Sequence, residues 1–272
     1  MPPDRPLLPT DVPHLQIMLT DDGSRTLLDN RLNETYHSGC GAISECLYVY
    51  LRNSGVEARL GQAALMNAQP RRPLRVLEFG FGTGMAWLLT AAAGQAYECP
   101  LHYVSLEHAL LPVSVLEPLS ISDAIETAIV RSELTSKYAV AASFENNWLA
   151  FRAGLPAQLA PGTIEWSVTS HNQLQLVLGE ALDFVRSASR AAEECYQAIY
   201  FDAFSPATNP DLWRAEVFEH LRSMLAIDGR LVSYCVNGAV RRALHEAGFH
   251  VERLPGPPGG KREVLVARLR QD

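Results

Sequence analysis

A short apolar run, Leu74–Phe79, leads directly into Gly80-Phe81-Gly82-Thr83-Gly84 and then into an apolar stretch from Met85 to Ala93. No other segment restricts the fold as much. An apolar run of strand length, a glycine turn and a helix-length apolar stretch read as strand, loop and buried helix. Glycines at that turn let the backbone bend sharply and approach a ligand that a Cβ would exclude. In an open α/β sheet such a turn lies beyond the C-terminal ends of the strands, where ligands bind.

The rest of the chain repeats the alternation. Strand-like runs are expected at His102–Glu107, Gln175–Leu178, Ala198–Phe201, Arg230–Tyr234, His250–Leu254 and Glu263–Arg268, with helices at Glu216–Met224 and Ala239–Ala247. Strands alternating with helices predict an α/β fold of the Rossmann-like kind, with a mainly parallel, doubly wound sheet. Residues 1–70 read as an N-terminal extension, extended or irregular to about Thr26, with one helix over Gly41–Ser54 closed by Gly55. Pro70-Arg71-Arg72-Pro73 reads as a hinge to the catalytic domain, 71–272. Within that domain, 113–170 is expected to be a helical insertion whose one strand signal is Tyr138–Ala142.

Composition narrows the setting. Of 272 residues 47% are hydrophobic and 19% charged, enough apolar mass for a real core. The net charge of -7 argues against indiscriminate coating of nucleic acid, though a local basic patch can still bind it. Five scattered cysteines with no CxxC spacing indicate neither a disulfide framework nor a metal site. The N-terminus has no apolar signal core, and no apolar run reaches the length of a membrane span. The expectation is a soluble cytoplasmic protein without a metal.

The glycines carry acids around them. Gly80, Gly82 and Gly84 are spaced GxGxG, whereas the dinucleotide fingerprint is GxGxxG, and Glu78 stands just before them. This acid-plus-glycine string resembles the first motif of Rossmann-like methyltransferases. Glu107 ends the next strand, where a carboxylate can accept hydrogen bonds from both hydroxyls of an adenosyl ribose. Glu180 follows the strand Gln175–Leu178, a position suited to adenine contacts. Asp202 ends another apolar strand, and Pro206 and Pro210 stiffen the loop after it. A carboxylate there could orient an amine and take its proton, while Phe204 and Trp213 could stack on a flipped-out base.

Four blocks resemble one family. Asn33-Glu34-Thr35-Tyr36-His37-Ser38 with Gly41-Ala42, Leu77–Gly84, Phe201–Trp213 and Pro255–Glu263 are similar to the methyltransferase component of the bacterial tRNA wobble-uridine enzyme MnmC and its standalone form MnmD. The resemblance runs from about Leu32 to the C-terminus. It implies S-adenosylmethionine as cofactor and tRNA as substrate, with N-methylation of the 5-aminomethyl group of (2-thio)uridine at the wobble position. It implies cofactor contacts at Gly80, Gly82, Gly84, Glu107 and Glu45, and a catalytic role for Asp202. Glu180 stands where the family usually has an Asp. The family's flavin oxidase domain is not expected here.

Arg241, Arg242, Arg253, Lys261 and Arg262 cluster late in the chain, with His245 one turn beyond Arg241, and are expected to meet anticodon-stem phosphates. Two other readings stand beside this one: an aminopropyltransferase of the spermidine-synthase type, and a non-catalytic binding module on the same fold. A dehydrogenase fits less well, because of the spacing after Gly82.

Overall fold

Of the two alternatives for the N-terminal segment, the extended one holds, and its strands pair into a small sheet. The computed structural model describes residues 5–66, 72–187 and 195–270. Strands β1 (Leu7–Pro9), β2 (Leu15–Leu19), β3 (Arg25–Asp29) and β4 (Glu34–Thr35) pair antiparallel in that order. The polar turn residues between β2 and β3 form a hairpin turn. Gly23 adopts φ 84° there, and the Thr20 amide donates to Ser24 O at 2.9 Å. Leu15, Ile17 and Leu27 turn inward from this small sheet and join the main core.

Next comes α1, an α-helix over Ala42–Glu45 that continues as a π-helix over Cys46–Asn53. The expected helix is present, but its winding differs. Residues five apart diverge by about 140° on an α-helix. An i→i+5 ladder narrows that angle, and such segments gather at functional sites. Here that places Tyr50 on the same face as Glu45. The helix α2 (Val56–Met66) follows; of the expected hinge, Pro70 and Arg71 lie outside the described residues.

The central unit is built from β5 (Leu74–Phe79), α3 (Met85–Ala96), β6 (Leu101–Glu107), α4 (Val113–Leu116), α5 (Ile121–Val130), α6 (Ala141–Ala153), β7 (Gly162–Ser167), β8 (Asn172–Leu178), α7 (Ala181–Ser187), β9 (Tyr196–Phe201), α8 (Ala215–Met224), β10 (Leu225–Ser233), α9 (Gly238–Glu246), β11 (Phe249–Pro255) and β12 (Glu263–Leu269). The strands lie in the order β11-β12-β10-β9-β5-β6-β8-β7. The five from β10 to β8 are parallel, and β7, β12 and β11 add antiparallel margins.

Two expectations in the insertion need correction. Tyr138–Ala142 is not a strand: it is a 3₁₀ turn, Ser136–Tyr138, running into α6. Conversely, 113–170 is not helical throughout, because β7 pairs with β8 as a hairpin. Its Ile164 and Trp166 alternate with exposed neighbours, the period-two pattern of an edge strand. The pairing of β10 with β9 shifts register between Leu225 and Arg230.

Strand order and side-chain parity locate the site. The chain leaves β5 toward β6 and β8, then returns to lay β9 against the other side of β5. The loops after β5 and β9 therefore meet at the switch point of the sheet. Leu77, Phe79, Ile199 and Phe201 face one apolar layer, under α7, α8 and α9. Val76, Ala198 and Tyr200 face the other, under α1 and α3. Because side chains alternate, Glu78 and Asp202 fall on the face covered by α1.

Candidate active site

Beyond the C-terminal ends of β5, β6, β9 and β10 opens a cleft of about 1420 Å³. Its floor is the glycine loop. Gly80 and Gly82 hold φ 89° and 52°, values that L side chains rarely adopt. A Cβ on Gly80 would stand 3.2 Å from the Asp202 carbonyl oxygen, and one on Gly82 would stand 3.2 Å from the Tyr36 ring. Gly84 caps α3 just beneath, its amide donating to Phe81 O at 2.8 Å.

Three carboxyl groups converge here from different elements. Asp202, on the strand end, accepts a hydrogen bond at Oδ1 from the Tyr50 hydroxyl. Burial holds its carboxyl well above the usual range; the Tyr50 hydrogen bond opposes that shift and the Glu78 charge adds to it. Glu45 is buried and accepts from the Ser38 amide at 2.8 Å. Burial, reinforced by the charge of Asp202, pushes it up to about 8. Glu78, also raised to about 8 by burial, accepts from the Ser105 hydroxyl at 2.6 Å. Carboxyl groups held neutral by burial are poised to ionise when a cation arrives.

Glu107 binds the loop itself. Its carboxylate accepts from the Gly82 amide at 3.0 Å and the Ala109 amide at 2.9 Å. Burial raises it and these backbone donors pull it back.

Sequence reasoning assigned no individual role to several residues that shape the cleft. Glu34 accepts from the Ser205 amide at 3.0 Å and from the Ser205 and Thr208 hydroxyls, so β4 fastens the loop after Asp202. Tyr36 lies over Gly82 and meets the Phe204 ring edge-on at 5.4 Å. Tyr50 read as one more apolar-face residue of a helix; a buried tyrosine hydroxyl needs a polar partner, which is the signal that marks it. The Thr83 hydroxyl is buried in the cleft wall without a hydrogen-bond partner among the described residues.

Other expected site residues take varied positions. Trp213 is buried, its indole donating to Phe204 O at 2.9 Å and its ring meeting Phe201 at 4.8 Å. It anchors the loop. Pro206 belongs to the same loop but does not line the cleft, whereas Phe204 does. Glu180 sits at the rim, exposed and 3.1 Å from His108. Lys261 lines the cleft with its ammonium over the Tyr234 ring, 4.2 Å from the centroid, while Arg262 is exposed outside it. Arg241, Arg242 and Arg253 line a separate groove.

The buried carboxyls set a pH dependence of stability. Glu45 and Glu78 keep their protons to about 8 when folded, against about 4.5 when unfolded. The folded state then binds more protons than the unfolded one, so stability falls as pH rises between those values. Buried His37 acts oppositely: burial lowers it to about 4, so its contribution grows only up to about 6.5. Between pH 6.5 and 8 the acids act alone, at on the order of 2 kcal/mol each. Tm is expected to drop by roughly 5 °C or more over that interval. Thermal unfolding of Glu78→Gln beside wild type checks this, since the variant should show the smaller drop.

The cradle fits an adenosyl sulfonium. The glycine loop leaves no room for a Cβ, Glu107 offers paired oxygens beside it, Thr83 has an unused hydroxyl, and acids surround the position where positive charge would lie. Comparison with known proteins agrees. Residues 144–270 match a family described as S-adenosyl-L-methionine-dependent methyltransferase. The tRNA 5-methylaminomethyl-2-thiouridine biosynthesis bifunctional protein MnmC of Azoarcus sp. (strain BH72) is 31% identical over 257 residues, covering 93% of this chain and 35% of that protein. The protein of the same name from Paraburkholderia phymatum is 32% identical over 241 residues, covering 87% and 32%. The chain thus spans about a third of the length of these curated relatives. The crystal structure of MNMC2 from Aquifex aeolicus shares the fold, with a TM-score of 0.69 at 24% identity over all of this chain and 73% of that one. Among the described residues no helix is long and apolar enough to cross a membrane. From the acid-ringed glycine cradle and these matches together, the chain is similar to the S-adenosyl-L-methionine-dependent methyltransferases over residues 144–270 and to the MnmC proteins over most of its length.

Proposed function

We propose that the protein N-methylates the 5-aminomethyl group of (2-thio)uridine at the wobble position of tRNA, giving the 5-methylaminomethyl product. One observation carries the reading: a half-buried Asp202, hydrogen-bonded by Tyr50 and flanked by Glu45, opens onto the same cleft as the glycine loop. Such a pocket suits a cationic amine beside a cationic sulfonium. The relatives' name, which assigns them to tRNA 5-methylaminomethyl-2-thiouridine biosynthesis, supports the choice of amine.

When bound, S-adenosylmethionine supplies a methyl carbon open to displacement. Gly80, Gly82, Thr83, Glu107 and, at the rim, Glu180 would hold its nucleoside, with Glu78 and Glu45 near the charged end. Asp202 accepts one proton from the substrate ammonium, whose ordinary pKa is about 10. The two cations in the cleft lower Asp202 into its ionised form and so prepare it for that transfer. With that proton on Asp202, the nitrogen lone pair would be free to accept the methyl group that the cofactor supplies, and the product would leave as a secondary ammonium. Tyr50 keeps Oδ1 engaged, which leaves Oδ2 to face the amine. Tyr36 and Phe204 wall the approach to the acceptor.

The test is methyl transfer from labelled S-adenosylmethionine to tRNA carrying 5-aminomethyluridine, followed by nucleoside analysis. A labelled 5-methylaminomethyl nucleoside is the expected product. Folded protein with verified substrate and no such product would overturn the proposal.

A further inference from the structure

The arginines of the late basic cluster do not share the cleft. Arg241, Arg242 and His245 on α9 and His250 and Arg253 on β11 line a second concavity of about 700 Å³. β11 runs antiparallel to β12, and β12 antiparallel to β10, so β11 points the same way as β10. Both strands therefore end on the cleft side, and Arg253 lies near that end of β11. The helix α9 begins only a few residues after Tyr234 and Cys235, which line the cleft. Arg241 and Arg242 occupy its first turns. The groove thus starts at the cleft rim and runs down the outer margin of the sheet.

Its charge is available. Arg241 and Arg242 are exposed and form no ion pair among the described residues, whereas Arg253 is tied to Glu263 at 2.7 Å and His250 lies 3.4 Å from Glu252. One acid, Glu246, also lines the groove. Two free guanidinium groups side by side form a local positive charge on a protein of net charge -7. Guanidinium forks match phosphate oxygens bidentately, and such contacts position a nucleic acid without reading its sequence. A base inserted in the cleft needs its flanking backbone held nearby.

We infer that this groove seats the sugar–phosphate backbone of the RNA stem whose loop base enters the cleft, with Arg241 and Arg242 as its principal phosphate contacts. The inference rests on the tRNA reading above. It also reassigns the basic cluster: Lys261, held over Tyr234 inside the cleft, belongs to the base end, and the α9 arginines belong to the stem.

The experiment compares wild type, the double variant Arg241→Glu/Arg242→Glu and a control, Arg131→Glu, an exposed arginine that lines neither concavity. Affinity for tRNA is measured by fluorescence anisotropy over a salt series, with affinity for S-adenosylmethionine in parallel. The double variant should bind tRNA at least roughly tenfold more weakly at 0.1 M salt, and its log K against log salt slope should be shallower by about 2. Its S-adenosylmethionine affinity should equal wild type, and the control should match wild type throughout. Wild-type tRNA affinity and slope in the double variant would overturn the groove assignment even if methylation proceeds. Wild type that binds tRNA with the expected salt slope but methylates nothing would instead overturn the proposed reaction while leaving the groove in place.

Discussion

Asp202→Asn is expected to lower kcat by about 10²- to 10⁴-fold, the usual worth of a positioned proton acceptor, while S-adenosylmethionine still binds. Asparagine keeps the size of the side chain and an oxygen to accept from Tyr50, so the pair can persist. What it lacks is the ability to take a proton. Tyr50→Phe separates the two roles further, because the ring still packs against Tyr200, 5.2 Å between centroids, and only the hydroxyl is lost. That hydroxyl lowers the Asp202 carboxyl against the upward pull of burial. Without it Asp202 ionises less readily, so the rise of kcat/KM with pH should move to higher pH in Tyr50→Phe. kcat should fall by about tenfold at neutral pH. A pH profile that stays in place would make Tyr50 a packing residue only. Loss of cofactor binding in a folded Asp202→Asn would assign Asp202 to the cofactor and not to the acceptor.

The acids were legible in the sequence because each ends a strand or begins a loop. Glu78, Glu107 and Asp202 follow apolar runs that can only be buried strands, and the glycine turn fixes which sheet end they share. Period-two alternation even implies that Glu78 and Asp202 share a face, since they sit opposite Tyr200 and Gly80 in neighbouring strands of matched register. What covers that face was not legible. The eight π-helical residues Cys46–Asn53 look like a plain amphipathic helix when apolar positions are counted, and Tyr50 then counts as core. The winding depends on tertiary demands: a buried Glu45 and a buried Tyr50 both directed to Asp202.

The same limit explains the N-terminal sheet and the loop latch. β1 and β4 are three and two residues long, too short for any periodicity to register. Glu34 reaches Ser205 and Thr208 across a gap of some 170 positions, a pairing that depends on how the small sheet docks and not on local pattern. Trp213 shows the converse. Its place in a loop rich in prolines suggested a stacking platform, but Phe201 and Phe218 surround it, and its indole N–H is spent on Phe204 O. A large aromatic in a loop is held by whichever core lies beneath, and the sequence does not say which.

Glu107→Ala should weaken S-adenosylmethionine binding by on the order of 100-fold, from the loss of two hydrogen bonds to a charged acceptor at about 1.5 kcal/mol each. Glu107 closes β6 with its two oxygens already aligned by the Gly82 and Ala109 amides, so the carboxylate is held in place before any ligand arrives. Preorganised acceptors lose little entropy on binding, which is why one side chain can matter this much. A ribose is common to substrate and product. The variant should therefore lose S-adenosylmethionine and S-adenosylhomocysteine by the same factor. Asp202→Asn should behave differently, with its modest loss confined to the cationic sulfonium and absent for the neutral thioether. Glu107→Gln falls between, since it keeps one acceptor and the contact to Gly82 but not the charge. Titration calorimetry of both ligands against the three variants reads all of this. If Glu107→Ala discriminated between the two ligands, Glu107 would be sensing the sulfonium and not the ribose; if neither ligand weakened, the carboxylate would serve only to brace the glycine loop.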